Sequence, residues 1–266
     1  MRGCFCFSSR RPEHTDERPV FEEEVLKYDF ARETSIISLF SCVETESSAT
    51  SADRATVEEA RRRLDLLKSY IADDSFTLNS RSKTVTLWHK NEEPLISRGR
   101  TTIEDVFDLD LVVDAITNLE RVKRWDPDTV HQERLSEVSL SRNKSPYMKE
   151  FLHKTYCAYK GRMGFPGRDF VWNTLIAWES DSLVYLVNYS EQEGAPESKP
   201  GFVRGKTKVA GYRIQRCPNG IVIDFTNQVD IGSKLVPDFI LTPIMKKVPE
   251  RLAALAEYIH IAHREK

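Results

Sequence analysis

The residues in this chain best suited to proton transfer are Tyr159, His153 and Asp126, and no spacing joins them into a catalytic set. The motifs H-E-x-x-H, G-x-S-x-G and G-x-x-x-x-G-K do not occur. Gly161, Gly164 and Gly167 recur every three residues, which is not the spacing of a dinucleotide-binding turn. The five cysteines lack the paired C-x-x-C sets of a zinc site, and the six histidines form no ligand pattern. No catalytic residue, metal or cofactor is therefore expected. The chemistry that remains is of two kinds. Cys4 and Cys6 lie among Phe5 and Phe7, ahead of Arg10 and Arg11, a setting that suits S-acylation with two chains. Gly3 is not at position 2, so myristoylation is not supported. The second kind is non-covalent binding by hydroxyls and amides set among bulky apolar residues.

Composition sets the bounds within which these residues act. With 266 residues, 40% hydrophobic and 30% charged, the chain can bury a core. A formal charge of −2 gives no reason to expect a nucleic-acid partner. No apolar run reaches the roughly 18 residues that span a bilayer, and no secretory signal is visible. We read the protein as cytoplasmic, with reduced cysteines and chance N-x-S sequons at Asn143 and Asn188. A monomer, peripheral on the cytosolic face of a membrane, is the expectation.

Residues 1–52 read as a disordered tail, rich in Ser, Thr and Glu, that buries too little to offset its ordering entropy. A folded domain is expected over residues 53–266. It opens with an amphipathic helix of about five turns, in which Val57, Ala60, Leu64, Leu67 and Ile71 recur at helical spacing. Thr84–Trp88 and Leu95–Thr102 read as strands, and Asp108–Arg124 as one helix ended by Trp125-Asp126-Pro127. Phe170–Trp178, Leu183–Tyr189, Val209–Cys217 and Ile221–Val229 are further strands, the last two joined at Pro218-Asn219-Gly220. From Leu241 to Ile259 the apolar residues recur at three and four, giving one long C-terminal helix with bends at Pro243 and Pro249. Strands grouped between helices predict an α+β fold rather than a parallel α/β sheet.

The apolar faces of these strands carry Trp172, Trp178, Tyr185, Tyr189, Tyr212 and Phe225, with Thr155, Tyr159, Thr174 and Asn227 interspersed. The last helix either packs directly on such a sheet or roofs a cavity. Polar groups without partners have little use in a solid core, so the pattern favours the cavity. Sparse polar groups in apolar walls suit a lipid-sized ligand. Burying about 30 methylenes is worth ~24 kcal/mol relative to water, so the space must close around the tails.

Four motifs follow in order: Arg124-Trp125-Asp126, Gly167-Arg168-Asp169-Phe170-Val171, Phe202-Val203-Arg204-Gly205 and Gln228–Pro237. Their order resembles the START (StAR-related lipid transfer) family of the helix-grip superfamily, from about Asp53 to Glu265. They look like its basic-Trp-Asp signature, its Arg-Asp strand opening, a later strand and the junction before the last helix. The resemblance implies a helix-grip fold, a curved antiparallel β-sheet around a cavity roofed by a long C-terminal α-helix. It implies binding and transfer of one phospholipid or sterol, without catalysis. The expected lipid-binding residues are Trp125, Thr155, Tyr159, Trp172, Thr174, Tyr185, Arg204, Tyr212, Phe225 and Asn227, with Ile244, Met245 and Val248 as roof. Sterol binders of the family resemble one another in a buried arginine and its carboxylate partner, but Thr174 and Thr155 stand at those positions here. Its phosphatidylcholine carriers place an arginine where this chain has Val122, flanked by Arg121 and Arg124. Glu191–Pro200 falls at the family's entrance loop. Lys234, Lys246, Lys247 and Arg251 gather near the lid, where basic residues suit an anionic membrane at ~1 kcal/mol each. A tethered lipid sensor, a helix-grip enzyme and a filled-core interaction module are the alternatives.

Overall fold

The computed structural model describes residues 51–140, 149–161, 164–190, 195–232 and 238–265. The described residues belong to a compact unit from Ala49 to Lys266. Cys4, Cys6, the first 50 residues and Lys234 lie outside them.

Helix α1 (Ser51–Ala72) is followed by the strands β1 (Thr77–Arg81), β2 (Val85–Lys90) and β3 (Ile96–Glu104). Two short helices, α2 (Leu109–Thr117) and α3 (Leu119–Trp125), lead into β4 (Thr129–Leu140), β5 (Glu150–Tyr159), β6 (Gly167–Ser180) and β7 (Leu183–Ser190). Then come β8 (Phe202–Arg204), β9 (Lys206–Cys217), β10 (Gly220–Asp230), α4 (Asp238–Lys247), one 3-10 turn (Val248–Glu250) and α5 (Arg251–Arg264). The strands form one sheet in the order β1-β2-β3-β10-β9-β7-β6-β5-β4, with short β8 parallel to β6 and every other pairing antiparallel. The α+β expectation holds.

Helix α1 packs Ala60, Leu64, Leu67 and Ile71 against one face of the sheet, here called outer. Its last turn leaves carbonyls without intrahelical donors. Arg98 Nη1 supplies them, at 3.1, 3.1 and 2.9 Å from the carbonyls of Tyr70, Ile71 and Asp73. Its guanidinium also sits over the rings of Phe76 and Trp88.

Three expectations need correction. The helix foreseen over Asp108–Arg124 is two helices, because Asn118 is extended and its side chain caps α3 through Glu120 N. A side chain that bonds to nearby backbone offers the chain a way out of the helix. The C-terminal helix is likewise in two pieces: Pro243 is accommodated inside α4, whereas the break comes at the 3-10 turn that holds Pro249. Strands β1, β4 and β5 went unread, since every residue of β1 is exposed, β4 is an edge strand without apolar alternation, and β5 buries residues on both of its faces.

The joint between α4 and α5 sits on β3 at Gly99, where an added Cβ would stand 2.6 Å from Pro249 Cβ and 3.1 Å from Leu252 Cδ1. Gly99→Val is expected to lower stability by about 2 kcal/mol through overpacking. Urea unfolding followed by circular dichroism checks this, and an unchanged midpoint would show that the joint does not bear on β3.

Candidate functional site

Alternation along the strands divides the site residues between two faces. On β6, Phe170, Trp172, Thr174, Ile176 and Trp178 face α5, the inner side, while Val171, Leu175 and Ala177 face outward. On β7, Val184 and Leu186 face inward, and Tyr185 and Tyr189 pack with α1 on the outer face. Tyr185 is therefore corrected: its register opposite Ala177 places it under α1, away from Trp172, Tyr212 and Phe225. Arg204 is also corrected. It pairs on the outer side with Asp169, Nε at 3.0 Å and Nη2 at 3.2 Å, and donates to Pro196 O. Asp169 further accepts from Tyr156 and Ser198, so this cluster clamps β8 and the loop before it onto β6. Arg168 bonds the carbonyls of Ile231 and Pro166.

The inner face has an aromatic wall. Phe170 and Trp172 stack at 5.3 Å between ring centres, with Tyr159 at 6.0 and 6.3 Å from them. Trp172 Nε1 donates to Thr207 Oγ1 at 2.8 Å. Tyr212 and Phe225 lie 4.7 Å apart further along. Met245 and Val248 close over Phe170, Ala210 and Val229. Ile244 does not: it is 47% exposed on α4, because helical rotation turns it away when Met245, 6% exposed, points in. Trp125 is buried, and its Nε1 donates to Ala115 O at 2.8 Å, locking the end of α3 onto α2.

Where the roof seats is informative. The α4 helix packs on β2 and β3, the 3-10 turn on β2, β3 and β10, and α5 on β3, α2 and α3. The inward side chains of β5, β6 and β7 are less completely covered: Phe151, Tyr159, Trp172, Trp178 and Asn188 are only half-buried, although none of these strands is an edge of the sheet.

Polar groups form two sets on this face. Thr174 Oγ1 donates to Asn188 Oδ1 at 2.7 Å, and His153 stands opposite Thr174, with Thr155 opposite Trp172. Burial, aided by the charge of Arg134, lowers the His153 imidazole to about 4, so this set is uncharged at neutral pH. Across β2, β3 and β10, His89, Ser97 and Asn227 share one register row. His89 Nδ1 and Ser97 Oγ are buried without a hydrogen-bond partner among the described residues. Burial and then the charge of Lys246 lower the His89 imidazole. Sequence reasoning missed Asn188, His89 and Ser97, whose facing depends on strand register.

Arg251 was expected among the surface cations of the lid and is corrected. It turns inward from the start of α5, pairs with Asp126, and lies 5.5 Å from the ring centres of both Trp125 and Tyr159. Among the described residues no group of three His, Cys, Asp or Glu could hold a metal ion, and no helix is long and apolar enough to cross a membrane.

The fold is similar to that of solved proteins. Human StAR-related lipid transfer protein 5 superposes with a TM-score of 0.69 at 16% identity, covering 79% of this chain and 99% of that one. Human STARD10 gives 0.57 at 17% identity, covering 82% of each chain. The human StarD13 (DLC2) lipid transfer and protein localization domain gives 0.53 at 17% identity, covering 80% of this chain and 98% of that one. No curated protein matches by sequence. The START domain family profile matches residues 97–252, from the inner face of β3 through the roof to the start of α5. Spanning more than half of the sequence, that match shows that the chain belongs to the START domain family.

Proposed function

We propose that this protein binds one lipid molecule between the inner face of the sheet and the roof, and carries it between membranes. The observation that carries the reading is the uneven seating of the roof. It rests mainly on β2, β3 and β10, while inward-facing Trp172, Tyr159, Phe151 and Asn188 keep open surface over β5–β7. A large apolar side chain on a central strand, facing a covering helix, loses its open surface in a close-packed core. The buried, unpartnered His89 Nδ1 and Ser97 Oγ on the same face add support, since each such group costs about 1–3 kcal/mol unless a ligand or water satisfies it. The structural neighbours named as lipid transfer proteins favour the same reading.

In this proposal the wall comprises Trp172, Thr174, Thr155, Tyr159, Tyr212, Phe225 and Asn227, and Met245 and Val248 form the lid. Exposed Ile244 and Lys247 on α4 suit contact with a membrane surface. Acyl chains on Cys4 and Cys6, within a tail preceding residue 53, would hold the domain at a cytosolic membrane face. Among the described residues the inner polar groups suit a binding wall, which favours binding over catalysis.

Native mass spectrometry on protein purified from a lipid-rich host tests the reading. One lipid at near one-to-one is expected. Trp172→Ala is expected to reduce that occupancy at least tenfold with the circular dichroism unchanged. Ligand-free protein that also ignores sterols, phospholipids and ceramides would favour a filled-core interaction module instead.

A further inference from the structure

We propose that Arg251 binds the phosphodiester of a phospholipid ligand, an inference that rests on the lipid-binding reading above and narrows it to one lipid class.

Arg251 is a cation in an apolar seam. The residues that follow it inward on α5 are Leu252, Leu255, Ala256 and Ile259, all buried. Its guanidinium is flanked by Trp125 from α3 and Tyr159 from β5, each ring centre 5.5 Å away. Tyr159 belongs to the aromatic wall with Phe170 and Trp172, so the charge sits at the edge of the inner face. Burial lowers the guanidinium to about 10, which still leaves it protonated at neutral pH. Yet the side chain keeps 26% of its surface open. A quarter of the side-chain surface is thus left for a ligand to cover.

The hydrogen-bonding capacity points the same way. A guanidinium carries five N–H donors in a planar fork that fits two phosphate oxygens at once. Among the described residues Asp126 is the ion-pair partner of Arg251, through Nη2. Asp126 is itself buried, and its Oδ2 also accepts from Thr129 Oγ1 at 2.8 Å, which fixes the carboxylate independently of Arg251. The guanidinium can thus offer its remaining donors without releasing the carboxylate. As a stability element alone the pair has no advantage, because apolar side chains of similar volume serve a core as well or better. Inward His153, Thr155, Thr174 and Asn188 on the neighbouring strands are uncharged at neutral pH. Arg251 places a positive charge beside the aromatic wall, against Trp125 and Tyr159, and a singly charged phosphodiester complements it. The arginine comes from the roof helix rather than from α3, so ligand binding also ties α5 to the wall.

The test offers the protein vesicles containing equal amounts of dioleoylphosphatidylcholine and dioleoylglycerol, which share their tails and differ in the phosphodiester head. Extracted lipid is quantified by mass spectrometry. Wild type is expected to take the phosphodiester lipid in at least tenfold excess. Arg251→Met is expected to bring the ratio to about one with diacylglycerol uptake retained. Because Arg251→Met leaves Asp126 buried alone, the double variant Arg251→Met with Asp126→Asn is measured beside it and is expected to behave in the same way. A ratio that stays high in the folded double variant, or that is already about one in wild type, overturns the role of Arg251 and leaves lipid binding standing. Uptake of neither lipid by wild type overturns the lipid reading itself and this inference with it. Glycerophosphocholine alone, at millimolar concentration, distinguishes the source of the phosphate. If it stabilises wild type against heat as strongly as the full lipid does, the site serves a soluble phosphate ester and the phospholipid assignment fails.

Discussion

Asp169→Ala is expected to destabilise the protein by about 3–5 kcal/mol, the cost typical of removing one partner from a buried charge pair. Asp169 is 0% exposed and accepts from four donors: Tyr156 Oη at 3.1 Å, Ser198 Oγ at 2.8 Å, and Arg204 Nε and Nη2 at 3.0 and 3.2 Å. Burial acts to raise its carboxyl, but the hydrogen bonds from Arg204 and Ser198 outweigh it, and the group is held below the ordinary carboxylate range. Its contribution is thus present above the unfolded value near 4 and is lost as the pH falls below it. Truncation would strand the Arg204 guanidinium and the Tyr156 hydroxyl, and loosen β8 from β6. Urea unfolding monitored by circular dichroism measures the loss, with Asp169→Asn expected to fall between wild type and Ala. Because the side chain points to the outer face, lipid occupancy of the folded fraction should be unchanged. Lost occupancy in natively folded Asp169→Ala protein would show that the arginine-aspartate cluster belongs to the ligand site after all.

His153 is expected to make the fold sensitive to mild acid. It is 7% exposed, opposite Thr174 on β6 and Glu137 on β4, and Glu137 is already engaged by Arg134 at 3.0 Å. Burial first, and the charge of Arg134 second, lower its imidazole from 6.5 to about 4. Between these values the unfolded chain binds the proton and the folded chain does not, so stability is full above about 6.5 and falls as the pH drops towards 4. A shift of this size amounts to about 3.5 kcal/mol at most, at about 1.4 kcal/mol per pH unit. Denaturant midpoints measured from pH 7 to 4 should decline more steeply in wild type than in His153→Gln, after allowance for the carboxylates common to both. Parallel pH profiles would show that the imidazole is wet and not set in a dry inner wall. Because His153 stands beside Thr174 and Asn188, acidification near a membrane surface should also weaken the uncharged polar patch to which it belongs.

Much of this molecule could be read from the amino-acid sequence. Helical spacing in Val57–Ile71 and Leu241–Ile259, period-two alternation in Phe170–Trp178, Leu183–Tyr189 and Ile221–Val229, and the turn at Pro218-Asn219-Gly220 all correspond to observed elements. They are legible because local backbone geometry imposes these periods on any side chain that must reach a core. The family resemblance, carried by Arg124-Trp125-Asp126 and Gly167–Val171, ordered those elements correctly. The elements without an apolar period, exposed β1, edge strand β4 and β5 with both faces buried, left no signal to read.

Only the tertiary structure decided which faces meet. Alternation shows that Tyr185 and Tyr189 share a side of β7, but the pairing of Tyr185 with Ala177 puts that side under α1. The same applies to Arg204, drawn outward by Asp169, and to Ile244, turned outward while Met245 points in. His89, Ser97 and Asn227 become one row, and His153, Thr174 and Asn188 one patch, through strand register alone. Arg251 reads as a surface cation until α5 docks and sets it between Trp125 and Tyr159 against Asp126. Periodicity is a property of a few consecutive residues, whereas facing and pairing depend on contacts between residues scores of positions apart, and those exist only once the chain has closed.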